Sequence, residues 1–411
     1  MGFDPLTRNS DLPPSGGCGP LRKGAGGGQM PLRQQLYERV RAHGRINRAA
    51  LAKDLGVSAG AVTPLVSELL GTGLLQELPE DAVYTGRGRP PVTLAVVPGR
   101  AYVIGLKASD LEHTAVLVDL AGRPVASASM ARDGTDRSAT HLMSEMARLV
   151  SLLLDDAQTS RADVVGLGLG LPGLVDHSAG AVKWCPLLQE RDVPVRDLLS
   201  DTLDLPVAID NDANVLTMAE HWFGKGRRLS DFAVVTIEYG VGMGLVVDHQ
   251  TYRGTRGLGM ELGHIKVQLD GALCRCGQRG CLEAYVADYA LVREAAVALS
   301  GTLPPRDGVL EALYAEAKGG NASAQAIFVR AGKYLALGLA NVANLFDPSR
   351  IILSGSRLRY DYLFAEDILA GVASSTLTNP PPIEVHAWDD LVWARGAAAL
   401  ALSDATAKLI Q

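Results

Sequence analysis

A short cysteine-rich stretch is the strongest chemical signal in this 411-residue sequence, because three of its five cysteines fall within eight positions. Cys274, Cys276 and Cys281 follow His264 with the spacing H-x9-C-x-C-x4-C. Three thiolates and one imidazole form a closed set of four ligands that suits zinc in a structural site. Incidental buried cysteines are a weaker interpretation because the cysteines are so closely clustered. A disulfide is weaker still, because nothing in the sequence marks a secreted protein.

Two glutamates flank this stretch: Glu261 precedes His264 by three residues, and Glu283 follows Cys281 by two. A metal bound to one nitrogen of His264 would fix the other nitrogen as a donor or an acceptor. Together with the two carboxylates, these groups suit a ligand with many hydroxyls. The alternative is a purely structural zinc knuckle with glutamates on its surface.

A polar pair follows an apolar stretch that predicts a strand over 206–209. Asn211 and Asp212 would lie at the carboxyl end of that strand, where an aspartate can act as a general base or hold a hydroxyl. A helix cap rich in Asn and Asp is the equally weighted alternative. Further along, the glycines of Gly240-Val-Gly-Met-Gly244 allow close approach to a phosphate, and hairpin geometry explains them about as often.

Three helical patterns near the front of the chain indicate a DNA-binding unit. Apolar residues repeat at helical spacing over 32–43, Asn47 can cap a second helix, and Ser58 can cap a third. Helix, turn, helix is the geometry that places a recognition helix in the major groove. Small residues at the start of the third helix allow close approach, and hydroxyls there can donate to phosphates or bases. We therefore predict DNA contacts from Ser58, Ala59, Gly60 and Thr63.

A basic hairpin is predicted after the third helix. Its tip, Gly86-Arg-Gly-Arg-Pro90, places Arg87 and Arg89 on a slim turn that suits insertion into a minor groove. A helix-turn-helix followed by a basic wing favours double-stranded DNA as a partner. The alternative is a small helical protein-interaction domain with a solvated basic loop.

The composition is that of a globular protein, with 47% hydrophobic and 20% charged residues. No apolar run reaches the roughly 18 residues needed to cross a bilayer, and the start of the chain lacks the apolar core of a signal peptide. We therefore expect a cytoplasmic protein without a membrane partner. Residues 1–99 hold 11 Lys and Arg against 8 Asp and Glu, whereas the remainder holds 28 against 37, so a mildly basic front precedes an acidic body.

The chain divides by pattern into three parts. Residues 1–28, rich in Gly, Pro and Ser, predict a disordered tail. Residues 30–97 hold the predicted winged helix-turn-helix, and residues 100–411 alternate strands with helices, which indicates an α/β body. Strand-rich openings near positions 102 and 232 predict two similar lobes. The expected lobes are 100–222 with 390–411, and 223–389.

Taken together, these motifs resemble the ROK family (repressors, open reading frames and sugar kinases) over about residues 30–411. The matching motifs are the zinc spacing with its Glu-x-Gly-His and Cys-Leu-Glu surroundings, Gly168-Leu-Gly-Leu-Pro-Gly-Leu-Val-Asp176 and Asn211-Asp-Ala-Asn214. The winged front resembles the family's repressors for xylose and N-acetylglucosamine, and its sugar kinases lack such a front. The resemblance implies a two-lobed body of the actin and hexokinase type (ribonuclease H-like), with sugar bound in its cleft.

The resemblance also implies roles for individual residues. It implies sugar or sugar-phosphate contacts at Asn211, Asp212, Glu261, His264 and Glu283. Among these, Asp212 matches the catalytic base of the kinases. It implies structural zinc ligands at His264, Cys274, Cys276 and Cys281.

Two loops depart from the kinase pattern. Kinases of the family have Asp-x-Gly-x-Thr after the first strand of the body, and here that place reads Lys107-Ala-Ser-Asp-Leu111. The second phosphate loop begins with Glu238 and Tyr239 instead of small residues, and a carboxylate with a bulky phenol would repel and crowd an ATP phosphate. On the sugar side, Met260 replaces the family's usual glycine, which predicts a different specificity.

We therefore expect a regulator that is not an enzyme, most simply a repressor of carbohydrate genes that senses a small sugar or sugar phosphate. A homodimer or homotetramer is expected because paired DNA-binding heads read paired half-sites. Two alternatives stay open. One is an active ATP-dependent sugar kinase with a DNA-binding head, and the other is a constitutive DNA-binding protein whose body serves only to oligomerise.

Overall fold

The structure is a computed structural model that describes residues 16–22, 30–79, 92–299, 308–355 and 366–410. It separates into two compact units. The first unit is Met1–Leu229 with Leu391–Gln411, and the second is Ser230–Asp390. The boundary therefore lies after Leu229 and not at the expected position 222. Arg227 belongs to the first unit because its guanidinium donates to the carbonyls of Gly19 and Ala42.

The front of the first unit is a head of three helices and a three-stranded sheet. Its elements are α1 (Leu32–His43), β1 (Ile46–Asn47), α2 (Arg48–Leu55), α3 (Ala59–Gly71), β2 (Leu75–Pro79) and β3 (Val92–Val96). The side chain of Asn47 accepts from the amide of Ala50, and that of Ser58 accepts from Ala61, so both predicted caps begin their helices. β2 and β3 pair antiparallel and form the two sides of the wing.

The rest of the first unit is built on a five-stranded sheet with the order β10-β7-β4-β5-β6. Its strands are β4 (Tyr102–Lys107), β5 (Glu112–Asp119), β6 (Pro124–Ala131), β7 (Val164–Leu171) and β10 (Val207–Asn211). A small hairpin pairs β8 (Leu174–Asp176) with β9 (Ala181–Trp184). The helices are α4 (Ala139–Asp156), α5 (Val195–Leu203), α6 (Asp212–Trp222) and α12 (Val392–Leu409). β4, β7 and β10 run parallel, so their carboxyl ends meet at one edge.

The second unit repeats this strand order with β13-β12-β11-β14-β15. Its strands are β11 (Phe232–Ile237), β12 (Val241–Val247), β13 (Gln250–Tyr252), β14 (Ile351–Gly355) and β15 (Ile383–Ala387). Its helices are α7 (Glu283–Val286), α8 (Asp288–Ala295), α9 (Val309–Lys318), α10 (Ala322–Phe346) and α11 (Glu366–Ala373). In both sheets an antiparallel meander of three strands is followed by two parallel strands. The prediction of two similar lobes is therefore confirmed.

Glycines let α12 pack closely on the first sheet. A Cβ atom on Gly105 would lie 1.9 Å from the carbonyl oxygen of Ala394, and one on Gly168 would lie 1.9 Å from that of Ala397. Only residues without a side chain permit this approach of backbone to backbone. The C-terminal helix therefore packs directly on β4 and β7.

The head and the rest of the first unit share one hydrophobic core. Leu36 and Val66 of the head belong to the same buried cluster as Val103 of β4, Trp222 of α6 and Leu402 of α12. Burial of apolar surface stabilises such a core by about 25 cal/mol per Å². The head therefore folds onto the first sheet and its helices.

The expected disordered tail over residues 1–28 is wrong for residues 16–22, which lie against the head and α6. The amide of Gly19 donates to the carbonyl of Trp222 at 2.9 Å, and that of Leu21 donates to Arg227 at 2.7 Å. Cys18 is only 3% exposed, and burial raises the pKa of its thiol to about 11. The Gly- and Pro-rich composition hides this single buried side chain. Residues 1–15 and 23–28 lie outside the described residues.

Within the described part of the chain, α10 is the one helix that is long and apolar enough by itself to cross a membrane. Of its most apolar window, 61% is buried, and Phe328, Leu335 and Leu339 lie in the core of the second unit. This burial is typical of the core helix of a folded domain. Helices α2 and α3 are long and apolar enough only when they are taken together as one span, and that span is bent by 118°.

Candidate functional site

The second unit brings the four predicted metal ligands together. The ligand atoms of His264, Cys274, Cys276 and Cys281 all lie within 4.8 Å of one another. Nδ1 of His264 is 3.7 Å from the sulfur of Cys274, and the sulfurs of Cys276 and Cys281 are also 3.7 Å apart. Sulfurs bound about 2.3 Å from a tetrahedral zinc are separated by about 3.8 Å. The donor set and its spacing therefore fit a four-coordinate metal ion.

Tight turns create this arrangement within residues 264–281, which we call the ligand loop. The amide of Gly277 donates to the carbonyl of Cys274, and Gly277 has a φ of +86°, which favours glycine. Gly280 has a φ of +75°, and a Cβ atom there would lie 1.8 Å from the carbonyl oxygen of Gln268. Both glycines thus fold the loop back so that Cys281 returns to the other ligands.

A lysine lies beside the ligand set. The ammonium of Lys266 donates to the sulfur of Cys281 at 3.0 Å, and this hydrogen bond is the main reason why the pKa of Lys266 is raised. A positive charge next to three thiolates offsets part of their mutual repulsion. The spacing of the cysteines gave no sign of this residue, although it lies only two positions after His264.

Glu283 is held directly against the metal-ligand cluster. One carboxylate oxygen lies 3.6 Å from the sulfur of Cys274 and 3.5 Å from the hydroxyl of Tyr289. The other accepts from the amide of Val241 at 3.3 Å. A Cβ atom on Gly240 would lie 2.9 Å from that oxygen, so glycine leaves room for the carboxylate. The ligand loop and the start of β12 therefore fix the position of Glu283 together.

Glu261 and His264 are joined by a single 3₁₀ turn over Leu262–His264. The amide of His264 donates to the carbonyl of Glu261 at 3.0 Å. Met260, which precedes the turn, has a φ of +66°, a conformation that residues with side chains rarely adopt. A glycine would adopt it without strain, so this turn stores backbone strain in the present chain.

Asn211 and Asp212 lie in the first unit, at the strand-to-helix turn between β10 and α6. The side chain of Asn211 accepts from the amide of Asn214 at 2.8 Å, so it caps α6. The side chain of Asp210 accepts from the amide of Asn211 and from the side chain of Asn214. The helix-cap alternative is therefore correct for Asn211, and the same turn also places Asp212 at the carboxyl end of the parallel strands.

Lys107 lies at the same edge of the first sheet. Its register partner is Gly170 on β7, and Gly170 pairs with Asp210 on β10. Its ammonium stands 3.6 Å from the ring centre of Trp393, within the range of a cation–π interaction. The ammonium of Lys107 is thus held at this edge by α12.

A buried pair supports the loop that follows Lys107. Nδ1 of His113 accepts from the amide of Ser109 at 3.1 Å, so Nε2 carries the proton toward Glu145 at 3.3 Å. Both side chains are fully buried, and burial is the main cause of the lowered pKa of His113. The two residues are 32 positions apart, which explains why the sequence alone did not reveal the pair.

The glycines from Gly240 to Gly244 belong to a hairpin. Ile237 of β11 pairs with Val241 of β12, and the amide of Glu238 donates to the carbonyl of Gly240. The hairpin interpretation is therefore correct. Glu238 and Tyr239 occupy the turn itself.

The predicted DNA-contacting residues lie at the start of α3. Ser58, Ala59, Gly60 and Thr63 are all exposed. Ser58 accepts from the amide of Ala61, and the hydroxyl of Thr63 donates to the carbonyl of Ala59. The exposed first turn thus presents small side chains and hydroxyls. Arg87 and Arg89 of the predicted wing tip lie outside the described residues.

Comparison with known proteins decides the family. A sequence model of the ROK family matches residues 104–404. The chain belongs to the ROK family. The DNA-binding transcriptional dual regulator NagC of Escherichia coli (strain K12) is 25% identical over 369 residues, which cover 87% of this chain and 90% of NagC.

Two solved structures share the fold. A ROK family transcriptional regulator, a homologue of the E. coli MLC protein, matches with a TM-score of 0.75 and 22% identity, over 92% of this chain and 96% of that one. A ROK family glucokinase from Streptomyces griseus, solved with glucose and AMPPNP, matches with a TM-score of 0.63 and 28% identity. The glucokinase match covers 99% of the kinase but only 73% of this chain. The kinase match thus covers about as much of the chain as the ROK body, and the regulator match extends over most of the rest.

Metal binding can be tested on the cluster itself. We expect the purified chain to bind one Zn²⁺ or Co²⁺ per molecule, with thiolate-to-cobalt absorption. Cys276→Ser removes one of four ligands and should weaken metal affinity by more than about 100-fold. Titration with Co²⁺ followed by absorption measures both quantities.

Cys185→Ser is the matched control, because Cys185 is a buried cysteine of the first unit outside the cluster. Its metal affinity should equal that of the unmodified chain. Equal affinity in Cys276→Ser would contradict the four-ligand site.

Proposed function

We propose that this chain is a DNA-binding transcriptional regulator that responds to a sugar or sugar phosphate, most simply a repressor of carbohydrate genes. The observation on which this rests is the union of a winged helix-turn-helix head with a ROK body in one chain. A relative named as a DNA-binding transcriptional regulator aligns over 87% of the chain. The glucokinase, in contrast, aligns over a shorter part.

The effector contacts that we propose are Asn211, Asp212, Glu261, His264 and Glu283. Asn211 and Asp212 lie at the end of parallel strands, and the other contacts add two carboxylates and an imidazole. These groups suit a ligand with many hydroxyls, because each can accept or donate a hydrogen bond. The bonds that Glu283 accepts from the amide of Val241 and the hydroxyl of Tyr289 support this assignment, since they fix its carboxylate before a ligand arrives. Such preorganisation reduces the entropy lost on binding.

The metal that we propose for the cluster is structural zinc. Four protein ligands leave no open coordination position, so the ion would serve to stiffen the ligand loop. Tyr289 would then hold Glu283 beside a rigid loop, and His264 would keep a fixed ring orientation.

Lys107, Glu238 and Tyr239 favour a sensor over an enzyme. Phosphoryl transfer depends on positioning ATP with its metal ion and on stabilising the charge that develops on the phosphoryl group. At the two loops that would serve this purpose, the chain has a lysine held on Trp393 and a turn of carboxylate and phenol. The regulator therefore binds its sugar without phosphorylating it.

The second candidate function is an ATP-dependent sugar kinase with a DNA-binding head, which the retained Asp212 favours. A coupled assay of ADP release with Mg²⁺-ATP and a panel of hexoses, pentoses and amino sugars separates the two. We expect no release above the rate without sugar. Sugar-dependent ADP release that disappears in Asp212→Asn would establish the kinase instead.

On the DNA side, the proposed contacts are Ser58, Ala59, Gly60 and Thr63 in the major groove and Arg87 and Arg89 in the minor groove. We propose a homodimer or homotetramer, because two heads would read the two half-sites of an operator. The regulator would act in the cytoplasm, where it would meet its operator DNA.

The effector response can be tested with a sugar panel. D-xylose, D-glucose, N-acetylglucosamine and N-acetylglucosamine 6-phosphate are added to the chain, and its melting temperature and operator affinity are measured. At least one of them should raise the melting temperature, because a ligand that binds only the folded state stabilises it. The same compound should change the affinity for operator fragments selected from genomic DNA.

Asp212→Asn should abolish both effects of the sugar and retain DNA binding, since the substitution removes a charged acceptor at the proposed site. Asp201→Asn is the matched control, because Asp201 is an exposed residue of α5 in the same unit. DNA binding that ignores every sugar would leave the constitutive DNA-binding alternative.

The wing can be tested through salt dependence. Arg87→Ala and Arg89→Ala should each weaken DNA binding and lower the slope of log affinity against log salt by about 1. Arg196→Ala is the control, because Arg196 bonds to the carbonyls of Ser178 and Ala179, outside the head. Unchanged slopes in both wing variants would exclude these arginines from the DNA contact.

A further inference from the structure

Helix α6 connects the proposed effector residues with the DNA-binding head inside the first unit. Asn211 caps its N-terminus, Asp212 is its first residue, and Trp222 is its last. At 1.5 Å per residue, its length is about 16 Å. Every residue from Ala213 to Trp222 is buried, so the helix is enclosed along almost its whole length.

The far end of α6 contacts the head through a buried arginine. Arg41 of α1 is 2% exposed, and its guanidinium lies 4.6 Å from the ring centre of Trp222. One of its nitrogens also donates to the hydroxyl of Thr406 on α12 at 2.7 Å. A buried charge is tolerated only where its partners are well placed. The position of the head on the body is therefore sensitive to the position of Trp222.

Residues 16–22 close over this contact. The amide of Gly19 donates to the carbonyl of Trp222, and the carbonyl of Gly19 accepts from Arg227. Arg227 also donates to the carbonyl of Ala42 at the end of α1. A Cβ atom on Gly17 would lie 1.7 Å from the carbonyl oxygen of Arg41. The segment thus bonds or packs against the last turns of both helices.

Close packing makes α6 stiff along its axis. A Cβ atom on Gly396 of α12 would lie 1.7 Å from the carbonyl oxygen of Val215. On the sheet side, a Cβ atom on Gly170 would lie 2.8 Å from a methyl of Val215. Interiors at this density transmit displacements because there is no free volume to absorb them. A shift at the N-terminus of α6 would therefore be transmitted toward Trp222.

We propose that α6 transmits the state of the effector site to the DNA-binding head, through the Trp222–Arg41 contact that residues 16–22 lock in place. This inference rests on the proposed function, since it assigns the regulatory route of the same site. Ligand contact at Asn211 and Asp212 shifts α6, and the shift changes how α1 is seated. By linkage, DNA bound to the head changes the ligand affinity of the effector site by the same factor as the ligand changes DNA affinity.

Hydrogen exchange of the full chain tests the route without sugar or DNA. Asn211→Ala removes the cap of α6, and loss of a cap speeds local exchange by about fivefold. We expect faster exchange in peptides covering 16–22 and 36–44, at the other end of the helix. Ser138→Ala is the matched control, because Ser138 caps α4 by the same kind of bond. It should leave both peptides unchanged.

When Arg41→Met is combined with Asn211→Ala, the faster exchange should be restricted to α6. Arg39→Met is its matched control, since Arg39 is an equally buried arginine of α1 whose partner, Asp54, lies within the head. If Arg41→Met does not fold, Trp222→Phe weakens the same contact and takes its place.

The proposed route would be overturned if exchange in peptides 16–22 and 36–44 is unchanged in Asn211→Ala. Equally faster exchange of these peptides in Ser138→Ala would also overturn it. A chain that ignores every sugar in the panel above would instead overturn the proposed function. The two failures are distinguishable because the exchange experiment uses the free protein.

Discussion

The close approach of α12 to the sheet is the contact on which the rest of the first unit depends. Gly105 and Gly168 expose the backbone of β4 and β7, and the alanines of α12 lie directly on them. A side chain at either glycine would displace the helix. Helix α12 also packs on α6, and Thr406 accepts a hydrogen bond from Arg41 of the head. The two glycines therefore determine how the sheet, α6 and the head are held by one helix.

In the second unit, the ligand loop positions a neighbouring side chain, as α12 positions the elements around it in the first unit. Few apolar residues lie in it, so burial alone stabilises it weakly, and the hydrogen bonds around Cys274 and Gly280 define its path. The loop in turn supports Glu283, a carboxylate that is 9% exposed and would be costly to bury without partners. A metal ion would therefore contribute to recognition through the geometry of protein groups, without reacting itself.

Local signals in the sequence predicted local structure well. Asn47 and Ser58 correctly predicted where α2 and α3 begin, because a cap involves only three or four neighbouring residues. The cluster of four residues that could hold a metal ion was predicted because cysteine and histidine spacing is specific. Strand β6 was missed, since its alternating Ala and Ser residues lack the hydrophobic contrast of a half-buried strand. Tyr289 and the segment around Cys18 were missed because their partners are distant in sequence.

The discontinuous first unit has a consequence for biosynthesis. Residues 230–390 form a contiguous insertion that can collapse as soon as it leaves the ribosome, whereas α12 is synthesised after it. Until then, Gly105 and Gly168 face no helix, and Arg41 lacks the hydroxyl of Thr406. The head is thus translated before the insertion, and its packing on the body is completed only after it. A nascent chain cannot present a finished head to DNA before the segment that seats it has been synthesised.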